Sequence, residues 1–241
     1  MDETPVDRLL AEQRRYYVAR APEYDDWWFR RGRYAVDDEA ARRWFADVAE
    51  LELELERFAP RGDVLELAAG TGTWTLQLLR YADRVTAVDA VPEVVELNRA
   101  KTGGAAEYVL ADVFCWEPSR TFDVCFFAFW LSHVPSSRFA AFWSLVDRAL
   151  KRDGRVFLID NAHLGDPRHL VSAEGEVARR SVADGREFEI VKRSWAPPDL
   201  EREVAALGWK LTAGRTTNDH FIFAAGSRRQ LGSEVVDASA D

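Results

Sequence analysis

Trp44, Val48, Leu51, Leu55 and Phe58 recur at steps of four, three, four and three residues, the spacing of one helical face. Leu51-Glu52-Leu53-Glu54-Leu55, taken alone, alternates like a strand. The longer period decides for a helix over 37–58, capped by Asp37 or Asp38 and stopped by Pro60. Upstream, 6–19 is helical, with Leu9, Leu10, Tyr16 and Tyr17 among charges. Downstream the period switches to short apolar runs at 63–68, 84–89, 107–110, 122–129 and 155–160, each a strand. The run at 122–129 is apolar almost throughout, as a strand covered on both faces should be. Helices over 73–81 and 92–101 separate the first runs, the second opened by Pro92. A third, capped by Ser136 or Ser137, carries Phe139, Phe142, Trp143, Val146 and Leu150. Past residue 160 the order changes. Segments 177–182 and 187–192 flank Ala183-Asp184-Gly185-Arg186, a hairpin signal. A helix over 198–207 ends at Gly208, and strands 209–215 and 220–225, joined by Thr216-Thr217-Asn218-Asp219, pair antiparallel.

Strands alternating with helices at this spacing predict a parallel sheet with right-handed crossovers. The expected organisation is an N-terminal helical segment at 1–34, one domain at 35–226 with a hairpin inserted at about 176–193, and a disordered polar tail at 227–241. Charge and composition narrow the chemistry. Lys plus Arg number 32 and Asp plus Glu 41 among 241 residues, a net charge of −9 that disfavours a nucleic-acid surface. No apolar run approaches the ~20 residues of a membrane span, and the acidic start has no signal-peptide core, so a cytoplasmic protein is expected. Cys115 and Cys125 sit in apolar stretches and are read as buried thiols, without metal spacing. Nine Trp and fourteen Phe exceed what a core of this size requires. Several crowd into Tyr24-Asp25-Asp26-Trp27-Trp28-Phe29, which either docks as core or covers a pocket.

The strongest motif is Val64-Leu65-Glu66-Leu67-Ala68-Ala69-Gly70-Thr71-Gly72-Thr73, a strand entering a small-residue turn at a helix start. Such a turn lets a ligand lie against the backbone, and parallel sheets bind ligands at the carboxyl ends of their strands. Glu66 places a carboxylate there. Asp89 ends the next strand, where it can accept from both hydroxyls of a ribose, and Asp112 ends the third, where it can face an adenine amino group.

These residues resemble the class I S-adenosylmethionine-dependent methyltransferases. The first family motif matches 66–72, the second 85–89 with Asp89 as the ribose acid, and the third 111–113. Residues 122–124 into 131–134 resemble the fourth, and 150–159 the fifth. The resemblance implies a Rossmann-like, seven-stranded, mostly parallel sheet with an antiparallel C-terminal strand, helices on both faces and an N-terminal helical lid. It implies S-adenosylmethionine as cofactor, leaving S-adenosylhomocysteine, held by Tyr17, Arg20, Glu66, Ala68, Gly70, Gly72, Trp74, Asp89, Ala90, Asp112, Val113 and Phe129. Tyr17 and Arg20 are expected to approach the methionine carboxylate. One departure is Ala68, where the family often has Gly.

A nicotinamide-dependent oxidoreductase and a non-catalytic cofactor-binding module are the alternatives. The first would show G-x-G-x-x-G, which the turn lacks. For a methyltransferase the acceptor is expected to be a small, apolar or aromatic molecule of secondary metabolism, methylated on oxygen, nitrogen or carbon. Tyr24, Trp27, Trp28 and Trp130 are its expected contacts, and the protein a monomer or homodimer. A hydroxyl acceptor needs a base. His133, after the fourth strand, and His163, after the fifth, are the candidates, with His133 taken to have an ordinary pKa near ~6.5. His133 has a structural reading too. His169 and His220 are expected to be structural or superficial.

Overall fold

A computed structural model describes residues 4–163 and 176–229. Helix α1 (Pro5–Arg20) opens with a capping box in which Thr4 Oγ1 accepts from Asp7 N and the Asp7 carboxylate accepts from Thr4 N. A 3₁₀ turn and the short helix α2 (Tyr24–Trp28) lead to α3 (Asp38–Phe58), capped by Asp37, which accepts from Ala40 N at 2.8 Å. Leu51 and Leu55 are fully buried while Leu53 between them is 50% exposed, so the alternating leucines lie on a helix.

The sheet runs β1 (Asp63–Leu67), β2 (Arg84–Asp89), β3 (Glu107–Leu110), β4 (Phe122–Ala128), β5 (Leu150–Asn161), then β8 (Trp209–Arg215) and β9 (Phe221–Arg228), in spatial order β3-β2-β1-β4-β5-β9-β8. The first five strands are parallel, and β9 runs antiparallel to both its neighbours. A separate two-stranded ribbon pairs β6 (Val177–Ser181) with β7 (Glu187–Val191). Helices α4 (Thr73–Leu78), α5 (Pro92–Lys101), α6 (Ser136–Ala149) and α7 (Pro197–Ala206) complete the chain. Alternate residues of the central strands divide the core. Leu65, Leu67, Cys125 and Phe127 pack with Phe142, Trp143 and Leu200 on one face. Val64, Val124 and Phe126 pack with Leu51, Leu55 and Trp74 on the other.

Some boundaries differ from the expectation. Strand β5 starts at Leu150 rather than 155, because a register shift between Phe122 and Val124 lets Leu150 join the ladder. Pro135 occupies the cap position of α6 with no side-chain bond, and the Ser136 hydroxyl donates instead to Glu176. Cys125 is buried, but Cys115 is exposed on the turn after β3. Strand β9 extends to Arg228 in place of the start of the expected tail. Residues 230–241 of that tail, and His169, lie outside the described residues. No described helix is long and apolar enough to cross a membrane.

Candidate active site

Strand order reverses between β1 and β4, which lie side by side while their crossovers go to opposite directions in the sheet. Such a switch point leaves a crevice at the carboxyl ends of the strands. The crevice here spans about 750 Å³, including solvent at its open mouth. The chain enters it in strained backbone. Ala68 and Phe129, immediately after β1 and β4, hold positive φ of 52° and 56°, a conformation L-residues avoid. Ala68 thus occupies the geometry for which a glycine is the freer choice. Phe129 is fixed by its N–H, which donates to Ile159 O at 2.8 Å.

Asp89 is the acid at the centre. Gly70 N donates to its Oδ2 at 2.9 Å and Val91 N to its Oδ1 at 3.0 Å. Burial raises its pKa above the ordinary value, and these amides pull the other way. Glu66 is more deeply buried. It accepts from Thr75 Oγ1 at 2.6 Å, and burial pushes its carboxyl up to about 8, so it is largely protonated at neutral pH. Asn98 ties this turn together, its Nδ2 donating to Gly70 O at 3.1 Å and Thr75 Oγ1 at 2.8 Å. A Cβ built on Gly70 meets nothing within 4 Å, so the turn opens onto free space, whereas one on Gly72 would strike Asn98 Oδ1 at 2.7 Å.

The expected residues separate into three groups. Tyr17, Tyr24, Ala68, Gly70, Asp89, Ala90, Asp112, Val113, Phe129 and Trp130 line the main cleft. Trp27, Trp28, Glu66 and Trp74 line an adjoining recess of about 380 Å³ that shares Tyr24, Ala68, Gly70 and Phe129 with it. Gly72, Arg20, His133 and His163 line neither. Gly72 shapes the turn from behind. His163 is exposed and pairs with Asp219 at 2.8 Å. His133 is buried behind Tyr17, with Tyr17 Oη 2.7 Å from Nε2 and Nδ1 2.7 Å from the carbonyl of Val191. Its pKa is not the ordinary one. Burial, then the Lys192 charge, hold it well below 6.5.

Other lining residues have no motif of their own. Leu10, Gln13 and Arg14 of α1 face the cleft, and Arg14 donates to Asp112 across it. Asp25 fastens the N-terminal segment to the glycine turn, accepting from Thr71 Oγ1 at 2.5 Å and Lys101 Nζ at 2.7 Å. Helical periodicity in α1 indicated burial, and no local signal indicated against what. Trp28 meanwhile joins the core, packed on Trp44, Trp74 and Phe221. The segment therefore both docks and covers.

Residues 64–154 match the sequence profile of a family described as "Methyltransferase domain". No curated protein matches the chain. Among solved structures, the DhpI–SAH complex is 36% identical, with a TM-score of 0.73 over 92% of this chain and 98% of that one. DhpI with SAM and HEP aligns equally well, at 36% identity and a TM-score of 0.73 over 90% of this chain and 97% of that one. The fold also matches a Burkholderia thailandensis 1,6-didemethyltoxoflavin-N1-methyltransferase with bound substrate and S-adenosylhomocysteine. That alignment has 21% identity and a TM-score of 0.62 over 95% of this chain and 92% of that one. The open glycine cradle, with Asp89 and Asp112 lining the same cleft, offers the open space and hydrogen-bond acceptors that a nucleoside cofactor such as those proteins bind requires. With that fit, and with identity spread over nearly the whole length, the chain belongs to the class I S-adenosylmethionine-dependent methyltransferases.

Proposed function

We propose that the protein methylates a small molecule at an oxygen, nitrogen or carbon atom, and that for a hydroxyl acceptor His133 takes the proton by way of Tyr17. The observation that carries this reading is the Val191–His133–Tyr17 chain. A carbonyl only accepts, so His133 Nδ1 bears the hydrogen and Nε2 is left to accept from the Tyr17 hydroxyl. Tyr17 lines the cleft and His133 stands behind it. Burial raises the Tyr17 phenol well above its ordinary pKa and keeps His133 neutral, so both start in the protonation states a relay needs.

S-adenosylmethionine supplies, when bound, an electrophilic methyl group on a sulfonium. The residues then have two tasks. Asp89, Asp112, Gly70 and the α1 side chains hold and cover the cofactor, and such positioning is worth ~7–11 kcal/mol in an in-line displacement. For a hydroxyl acceptor, the acceptor's proton would pass to Tyr17 Oη as the Tyr17 proton passes to His133 Nε2, with the methyl group supplied by the bound cofactor. Tyr24, Trp27, Trp28 and Phe129 offer ring surface for an apolar flank of the acceptor. The relatives support a small acceptor: one is solved with HEP and one with bound 1,6-didemethyltoxoflavin. A cytoplasmic enzyme of secondary metabolism, acting as a monomer or homodimer, completes the reading. The oxidoreductase alternative has no such support, since the matches are to methyltransferases and to SAM and SAH complexes.

The test is transfer of labelled methyl from S-adenosylmethionine to a panel of phenols, alcohols, amines, indoles and carboxylates. With a hydroxyl acceptor, His133→Ala and Tyr17→Phe each lower kcat by about 10²–10⁴, while S-adenosylhomocysteine affinity changes little in His133→Ala, a residue outside the cleft lining. His133→Gln keeps the geometry without restoring the rate. Because His133 titrates well below 6.5, the acid limb of the rate profile lies below that pH and vanishes in His133→Ala. Full kcat in His133→Ala, with the native acceptor and an unchanged profile, would make His133 structural.

A further inference from the structure

The β6–β7 ribbon has two strands among the described residues, which leaves one edge of β7 without a strand partner. Lys192 N donates to Glu176 O and Val182 N to Arg186 O, so the even-numbered residues of this ladder bond across the ribbon. The odd-numbered residues of β7 then turn their N–H and C=O groups outward, as alternation in an antiparallel pair requires. Such an edge is costly to bury unless its polar groups are met. Helix α1 meets them with side chains. Glu189 N donates to Glu12 Oε1 at 2.8 Å, and Val191 N to Gln13 Oε1 at 3.0 Å. Tyr16 closes the seam on its apolar side, packed with Val182 and Ile190 and with its ring 5.8 Å from that of Phe188.

Gln13 does more than cap a strand edge. Its Oε1 is taken by the Val191 amide, which leaves Nε2 to donate, and Nε2 donates to His133 O at 3.4 Å. The outward carbonyl of the same Val191 faces His133 Nδ1 at 2.7 Å. The three residues therefore close a ring. Gln13 accepts from the Val191 amide, the Val191 carbonyl accepts from the imidazole, and the His133 carbonyl accepts from Gln13. All three are at most 5% exposed, although Gln13 also lines the cleft. A neutral imidazole has two tautomers, and only the one with hydrogen on Nδ1 leaves Nε2 free to accept from Tyr17. The Val191 carbonyl selects that tautomer as long as it is held against the ring. Gln13 holds both sides of this contact, Val191 through its N–H and His133 through its C=O. Gln13 and Tyr17 are also four residues apart, on one face of α1. One helix face thus carries the hydroxyl in front of the imidazole and the amide that fixes the imidazole from the side.

We infer that Gln13 is a positioning residue for methyl transfer, which locks Val191 and the His133 backbone so that Nε2 stays turned to Tyr17, and that the base is assembled only when α1 is seated on the ribbon. This rests on the His133–Tyr17 relay and adds to it the residue that orients the base. Covering the cleft and arming the base are then one event, because the same helix does both.

The test is ¹⁵N NMR of the imidazoles in the full chain saturated with S-adenosylhomocysteine, the His133 signals being those absent from His133→Ala. At pH 7 native protein shows hydrogen on Nδ1 of His133 and none on Nε2. Gln13→Met, close in size but without the amide, shows a mixture of tautomers. Gln13→Glu, which still accepts from Val191 N and so guards against loss of the fold, recovers the native tautomer in part. With a hydroxyl acceptor, Gln13→Met lowers kcat by about tenfold, the scale of one buried hydrogen bond, and changes KM less. In a His133→Ala background Gln13→Met causes no further loss, because Gln13 acts through that ring. A native tautomer with undiminished kcat in Gln13→Met overturns the inference and leaves the relay standing. So does a tenfold loss that persists in the His133→Ala background. Hydrogen on Nε2 in the native protein overturns the relay itself, and the inference with it.

Discussion

Gly70 and Gly72 stand two residues apart in one turn, yet an added methyl group should harm the protein differently at each. Both hold positive φ, 59° and 91°, so alanine at either costs about 1–2 kcal/mol of backbone strain, offset in part by ~0.5 kcal/mol from a stiffer unfolded chain. At Gly70 nothing further is lost to folding, because the new Cβ meets no atom within 4 Å. At Gly72 it lies 2.7 Å from Asn98 Oδ1 and 3.1 Å from Asn98 Cα, and the backbone contact cannot rotate away. Moving Asn98 strains its bonds to Gly70 O and Thr75 Oγ1, each worth about 1 kcal/mol. Gly72→Ala should therefore cost ~3–4 kcal/mol in urea unfolding, against ~1 kcal/mol for Gly70→Ala. Binding should follow the reverse order per unit of stability lost. Gly70 faces both recesses, so its methyl group intrudes where the cofactor lies, and calorimetric titration with S-adenosylhomocysteine should show at least about a tenfold loss, ~1.4 kcal/mol. A Gly70→Ala variant that binds with native affinity, or equal unfolding losses in the two variants, would refute this account of the turn.

Glu66 predicts an unusual pH dependence. Its folded-state pKa is raised from 4.5 to about 8, so the native state holds a proton that the unfolded state releases, and stability falls as pH rises between those values, by roughly 5 kcal/mol at most. Glu66→Gln should flatten this slope in urea midpoints measured from pH 5 to 8; an unchanged slope would mean the carboxyl ionises in place. Asp47 has the opposite sign. Fully buried on α3, it accepts from Thr216, Asn218 and His220, which hold its pKa down at about 2 and clamp the β8–β9 turn. Its contribution is present above the ordinary pKa of 3.8 and lost as pH falls towards 2. Asp47→Ala should cost ~3–5 kcal/mol in thermal or urea unfolding without altering cofactor affinity in the folded fraction.

Local pattern was enough wherever a residue's role depends on its own segment. The 4-3-4-3 spacing of Trp44 to Phe58 overruled the alternating leucines, because a helical face is set by period, and Leu53 duly lies outside it. Strands 84–89, 107–110 and 209–215 and helix 92–101 begin and end where turn residues and apolar runs place them. The glycine turn with acids at successive strand ends pointed to residues that do line one cleft, since a parallel sheet with short crossovers allows those ends little freedom of position. Cys115 shows where such reasoning stops. Its neighbours Phe114 and Trp116 are apolar, but the amides of Cys115 and Trp116 turn back to Asp112 O and leave the thiol outside. The surroundings of His133 were decided by tertiary structure alone. Tyr17, His133 and Val191 are separated by 116 and 58 residues, and only the packing of α1 on the hairpin stands one between the cleft and the other. The same packing buried Lys192 against Ser132 and carried His133 away from its ordinary pKa. Desolvation and charge proximity are properties of what surrounds a group, and here the surroundings come from the opposite end of the chain.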